Sequence, residues 1–156
     1  MSEDNLYRRG VGVMLLNAAG KVWVGARIDN SADAWQMPQG GIDEGEEPWV
    51  TALRELEEET GIPPHLVERI AQCPERLRYT LPPELVGVIW KESWVGQEQD
   101  WFLCRFLGRD SDVNIATAHP EFREWKWVEP EQLPELIVPF KRDLYRRLLR
   151  DFADRF

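Results

Sequence analysis

An α/β architecture, with a mixed β-sheet held between helices, is what this chain leads one to expect. Three features point there. Strand-length apolar segments recur along the 156 residues, each bounded by turn residues. A well-punctuated helix interrupts them in the middle, and a stretch with helical spacing closes the chain. The length suits one domain spanning residues 1–156. A chain of this size buries roughly two-thirds of its unfolded surface, enough to fold without disulfides.

The elements follow in order. Val11–Asn17 (VGVMLLN) reads as a strand and Ala18-Ala19-Gly20 as a turn. Lys21–Arg27 alternates apolar and other residues, the pattern of a paired strand. Trp35 to Gly41 contains Pro38 and two glycines, so the backbone is expected to turn there. Pro48–Thr60 is the strongest helix, with proline at its start and Gly61 just past its end. Arg69–Cys73, Arg76–Thr80, Leu85–Trp90, Asp100–Phe106 and Trp125–Val128 are strand candidates, and Pro130–Leu136 is a short helix. Phe140–Phe156 carries Leu144, Leu148, Leu149 and Phe152 at helical spacing and should pack as a closing helix. There is no repeat, low-complexity tract or linker.

Composition narrows the function. A net charge of −9 argues against a surface for duplex or general nucleic-acid binding. It leaves room for a phosphate substrate, provided divalent metals bridge the two sets of negative charge. The polar, acidic start Met-Ser-Glu-Asp-Asn lacks the pattern of a signal peptide, and no apolar run approaches the roughly 20 residues of a membrane span. Cys73 and Cys104 belong to no CxxC pair and are expected as reduced, largely buried thiols. The expectation is a soluble cytoplasmic protein, monomeric or weakly oligomeric.

The informative stretch is Arg54-Glu55-Leu56-Glu57-Glu58-Glu59-Thr60-Gly61. Four glutamates in five positions repel one another on a helix. At about 100° per residue, Glu55, Glu58 and Glu59 share one sector and Glu57 falls on the opposite side. Trp49, Leu53 and Leu56 form an apolar stripe about 130° away, so the helix can dock while presenting its acids. Converging carboxylates suit a hard divalent cation such as Mg²⁺, which takes oxygen ligands and keeps several waters. His65 and His119 show no HxxxH or HExxH spacing, which disfavours zinc. Taken alone, such a helical run reads more readily as a solvated acidic face.

The residues upstream decide between these. From Gly40 to Ile62 the chain reads G-x5-E-x7-R-E-U-x-E-E-x-G-U, with U aliphatic, fixed at Gly40, Glu46, Arg54, Glu55, Leu56, Glu58, Glu59, Gly61 and Ile62. This resembles the Nudix box (residues 40–62) at every position. The resemblance implies a Nudix α/β/α sandwich and a hydrolase that cuts phosphoric anhydride bonds. It implies Glu55, Glu58 and Glu59 as ligands of Mg²⁺, for which Mn²⁺ can substitute. It gives Glu58 or Glu59 a part in deprotonating the attacking water. Glu46 and Arg54 are expected as a structural ion pair tying loop to helix, and a backbone carbonyl of the Gln39–Gly40 turn as a further ligand.

Beyond the box, Tyr7-Arg8, Trp35 to Ile42, Gly96-Gln97, Trp101-Phe102, Pro120-Glu121-Phe122, Trp125, Trp127 and Phe140-Lys141-Arg142 are similar to one Nudix branch. That branch holds the asymmetric diadenosine tetraphosphate hydrolases and the bacterial RNA pyrophosphohydrolases. The resemblance adds Glu121 as a metal ligand or base, Arg8, Arg27 and Lys141 as phosphate-side cations, and Tyr79 with Phe140 as a base-stacking pair, each partly exposed. The spellings Gly41 to Glu46 and Tyr79 to Glu84 lean toward the dinucleotide enzymes. The first expectation is therefore diadenosine tetraphosphate cut to ATP and AMP. The alternative is an RNA 5′-pyrophosphohydrolase that leaves a 5′-monophosphate. A weaker alternative is a sensor with this fold that binds nucleotide without cutting it, which would have no need of the full carboxylate set.

Overall fold

The structure is a computed structural model and describes residues 6–29, 34–90 and 94–155. In chain order its strands are β1 (Tyr7–Leu16), β2 (Val22–Arg27), β3 (Gln39–Gly41), β4 (Val67–Gln72), β5 (Leu77–Thr80), β6 (Gly96–Phe106) and β7 (Phe122–Val128). The α-helices are α1 (Pro48–Thr60), α2 (Leu133–Leu136) and α3 (Arg142–Asp151). The strands form one mixed sheet in the order β4-β6-β1-β2-β7, with β3 paired to β1 and β5 to β6. β1 and β6 run parallel over their whole lengths, from Tyr7 opposite Gly96 to Leu16 opposite Arg105. The other pairings are antiparallel.

Side-chain alternation sends each central strand into two cores. Val11, Val13 and Leu15 of β1, Trp23 of β2 and Phe102 and Cys104 of β6 pack with Ala52 and Leu56 of α1. Met14, Leu16, Val22, Val24, Trp101 and Leu103 pack on the other face with Leu133 of α2 and Leu144, Tyr145 and Leu148 of α3. The sheet is therefore sandwiched, as expected. Burial on both faces explains why Val11 to Leu16 is almost unbroken apolar sequence rather than alternating.

Helix α1 has the bounds that its punctuation foretold. Pro48 opens it, and Gly61 closes it at φ 74°, a left-handed turn that places the glycine N–H on the Glu57 carbonyl. Its docking stripe differs slightly from expectation. Ala52 and Leu56 are fully buried and Trp49 packs its ring 5.1 Å from that of Phe102, whereas Leu53 is only half-buried.

Three other expectations change. Leu85–Trp90 is no strand: it begins in a 3-10 turn at Pro83–Leu85 and continues through Gly87 at φ 81°. The Val88 and Ile89 N–H groups turn back onto the Leu85 carbonyl, and the left-handed glycine breaks the extension. Gln39–Gly41 is not a free turn but strand β3, pairing Gly40 with Val11. The closing helix is shorter than Phe140–Phe156, because Pro139–Lys141 and Ala153–Arg155 are 3-10 turns and Phe156 lies outside the described residues. Cys73 and Cys104 are free and buried as expected, and burial pushes both thiols up to about 12. Among the described residues no helix is long and apolar enough to cross a membrane.

Candidate active site

A cleft of about 710 Å³ opens beside β3, between the 3-10 turn that precedes α3 and the segment after β5. Seven of the nine residues expected at the site line it: Arg8, Arg27, Glu55, Tyr79, Glu121, Phe140 and Lys141. They come from β1, β2, α1, β5, the residue just before β7 and that turn. Glu58 and Glu59 are not part of the lining.

The carboxylates occupy three environments. Glu59 is fully buried, and neither of its oxygens has a hydrogen-bond partner. Burial, then the neighbouring Glu121 and Glu55 carboxylates, push its pKa well above the ordinary range. Glu55 is raised to about 7, chiefly by burial and then by Glu58 and Glu121, against the pull of Arg54. Glu58 faces outward, 57% exposed, with Arg54 Nη1 3.2 Å from both its oxygens. Glu55, Glu59 and Glu121 are thus drawn together, while Glu58 stands at the edge of the group.

Arg54 organises this helix face. Its Nε and Nη2 donate to the two Glu46 oxygens at 2.8 Å each, the expected loop-to-helix ion pair, and hold Glu46 down to about 2. Its Nη1 also donates to Glu55 Oε1 at 3.2 Å. With Asp43 Oδ2 3.4 Å from its Nη2, one guanidinium therefore restrains four acids that would otherwise repel each other.

The cations differ in how they are held. Arg27 donates from Nε and Nη2 to the two oxygens of Asp29, 2.8 Å each, and its Nη1 lies 3.8 Å from Glu121 Oε2. The Lys141 ammonium sits 4.7 Å from the centre of the Tyr79 ring; burial and the nearby Arg27 lower it to about 8. Arg8 lies against the Trp90 and Trp94 rings.

The aromatic pair corrects an expectation. Tyr79 is not partly exposed: it is a core residue, 6% exposed, whose hydroxyl donates to Gln97 Oε1 at 3.1 Å. Its ring centre lies 6.0 Å from that of Phe140 at 45°, so the rings touch each other and do not stand apart as an open clamp. Phe140 is half-buried and lines the cleft with Tyr79 behind it.

Sequence reasoning passed over several lining residues. Asp29, Val138 and the run Leu85, Val88, Ile89 and Trp90 all line the cleft. Val88 is 71% and Ile89 49% exposed, so this apolar segment is rim rather than strand. The Pro82-Pro83 pair and Gly87 were the available signal. Beneath the cleft Trp101 Nε1 donates to Gln99 Oε1, and Gln99 Nε2 donates to Gln39 and Gln97 at 2.8 Å, a buried amide relay that ends on Tyr79.

The donor set suits a hard divalent cation. All candidate ligands are oxygens, and Glu59 is a buried carboxylate without a partner, costly unless a cation meets it. Among the described residues no three His, Cys, Asp or Glu groups converge tightly enough to enclose an ion unaided.

Comparison with known proteins places this geometry. The NUDIX domain model matches residues 6–148. A protein of Roseobacter denitrificans named RNA pyrophosphohydrolase is 56% identical over 146 residues, 94% of this chain and 91% of that protein. One of Zymomonas mobilis with the same name is 55% identical over 151 residues, 96% and 97% of the two chains. Among solved structures, the E. coli dihydroneopterin triphosphate pyrophosphohydrolase aligns with a TM-score of 0.72 at 19% identity, over 93% of this chain and 98% of the other. A C. elegans Ap4A hydrolase in a binary complex aligns at 0.67 with 22% identity, over 94% and 98%. At those identities the two structures speak for the fold alone.

Proposed function

The chain belongs to the NUDIX domain family, and on that premise we propose that it is a cytoplasmic RNA 5′-pyrophosphohydrolase, converting 5′-triphosphate ends to 5′-monophosphates. Hydrolysis of a phosphoric anhydride is supported above all by one arrangement. The buried Glu59 lies behind Glu55 and Glu121, which line a cleft that also presents Arg8, Arg27 and Lys141. RNA is favoured as substrate because relatives more than half identical along nearly their whole length carry that name. This shifts the emphasis away from the dinucleotide that the spelling of Gly41 to Glu46 suggested.

Glu55 and Glu59, with Glu58 and Glu121, would hold the divalent cation, Mg²⁺ or Mn²⁺ in its place. When bound, such an ion screens phosphate charge and lowers the pKa of a coordinated water. The protein's own groups do the rest. Arg8, Arg27 and Lys141 hold the phosphate chain and stabilise charge on the leaving group. Glu121, its Oε2 steered by Arg27, accepts the proton of the attacking water. Phe140 stacks on a base. Water attacks phosphorus directly, because both cysteines are buried and, among the described residues, no serine is paired with a base.

Diadenosine tetraphosphate stays a second reading on the strength of that spelling. A test uses RNA bearing a labelled 5′-triphosphate. Magnesium-dependent loss of the label with a 5′-monophosphate left behind, abolished by EDTA, is expected. Intact triphosphate after prolonged incubation would overturn the proposal, and turnover of diadenosine tetraphosphate would then separate the second reading from the non-cutting sensor.

A further inference from the structure

Arg8 is held differently from the other cations of the cleft. Among the described residues no carboxylate pairs with it, whereas Arg27 is clasped by Asp29. Its guanidinium carbon lies 5.6 Å from the centre of the Trp90 ring and 5.9 Å from that of Trp94. The indoles meet edge to face, with centres 6.0 Å apart at 81°. The third side of the seat is bare backbone: a Cβ on Gly41 would lie 2.2 Å from Arg8 Nη2 and 2.5 Å from its Cζ. Two separate parts of the chain, Gly41 of β3 and Trp90 with Trp94 of the connection before β6, thus converge on one side chain.

We propose that Trp90 and Trp94 are positioning residues, which with Gly41 fix the Arg8 guanidinium in the cleft as a phosphate receptor. The inference rests on reading the cleft as a polyphosphate site. Indole faces attract a cation without cancelling its formal charge, which a carboxylate partner would do. The N–H edge of the guanidinium is left free to donate in pairs to phosphate oxygens. Fixing a long, flexible side chain before the substrate arrives removes an ordering cost from binding. The indoles also give the apolar rim after β5 a purpose, since Trp90 belongs to that rim and lines the cleft.

The test is a double-mutant cycle on Arg8→Ala and Trp90→Ala, with Trp94→Ala and Trp90→Phe alongside. Turnover of 5′-triphosphorylated RNA gives KM and kcat, and calorimetry with inorganic tripolyphosphate gives Kd without turnover. Trp90→Ala and Trp94→Ala should each raise KM and Kd by about 3- to 30-fold with kcat nearly unchanged. Trp90→Phe should recover most of the loss, which also guards against misfolding of the alanine variant. On the Arg8→Ala background, Trp90→Ala should add less than about twofold, since its only route to phosphate is gone. Effects of Arg8→Ala and Trp90→Ala that multiply, or a fall in kcat at constant KM and Kd, would overturn the inference. Wild-type protein that fails to cleave RNA yet shows the same cycle in tripolyphosphate binding would sink only the functional reading.

Discussion

Gly40 and Glu55 occupy space that leaves no room for a side chain on the glycine: a Cβ there would lie 2.2 Å from the Glu55 carboxylate carbon and 2.3 Å from Oε2. The close approach explains why strand β3 carries a glycine at that position, directly behind a carboxylate proposed to hold the metal. Gly40→Ala should push Glu55 out of place while leaving the buried cores untouched. Displacements of about 1 Å in an active site cost on the order of 100-fold in rate, and that is the expected fall in kcat/KM. Unfolding and steady-state kinetics on the same sample check it; full activity would show that Glu55 tolerates the shift.

Glu59 tests the cation site. If Mg²⁺ binds there, a concentration 100-fold above Kd adds about 2.7 kcal/mol to stability, or about 5–10 °C in Tm. Glu59→Gln should abolish that metal-dependent rise and nearly all turnover. Without metal the variant should melt no lower than wild type, because it removes a buried carboxylate crowded by Glu121 and Glu55. Melting curves with and without Mg²⁺ decide; an undiminished rise in the variant would remove Glu59 from the ligand set.

Lys141 carries a pH signature. Its folded pKa is lowered to about 8 from 10.5. Below about 8 the ammonium is charged and binds phosphate, and that contribution fades as pH rises through 8. Stability moves the other way. Between about 8 and 10.5 the unfolded chain holds a proton that the folded chain has released, so folding gains with rising pH. Wild-type KM should therefore climb above pH 8. Lys141→Arg, which stays charged, should flatten the climb, as KM measured between pH 7 and 9.5 would reveal.

Phe140 and Tyr79 should separate into two roles. Phe140→Ala removes a half-exposed ring and should raise KM by roughly 5- to 150-fold, the value of about 1–3 kcal/mol of stacking. Tyr79→Ala empties a core position and should cost about 3–5 kcal/mol of stability. A Phe140 variant with wild-type KM and a large stability loss would make it packing rather than recognition.

Much of this was legible in the residues. The bounds of α1 followed from Pro48 and Gly61, because helix ends are local events. Apart from β3 and Leu85–Trp90 the strands were legible as strands, but β1 begins at Tyr7 and not Val11, since its first residues are polar and held by pairing with β6, some 90 positions away. That parallel register is non-local and leaves little trace in a short window. The rim after β5 misled because its apolar residues serve a cleft instead of a core. The exposure expected of Tyr79 was wrong because its depth depends on α3 packing behind it, which spacing does not reveal. The acid cluster was foreseen as one face; that Glu59 is buried and Glu58 exposed depends on how α1 lies on β3.

The most direct test of the central claim is kcat/KM for 5′-triphosphorylated RNA and diadenosine tetraphosphate, measured side by side with Mg²⁺. The account predicts at least about a tenfold preference for the RNA, a difference of about 1.4 kcal/mol in transition-state stabilisation. A preference of that size for diadenosine tetraphosphate, yielding ATP and AMP, would contradict it.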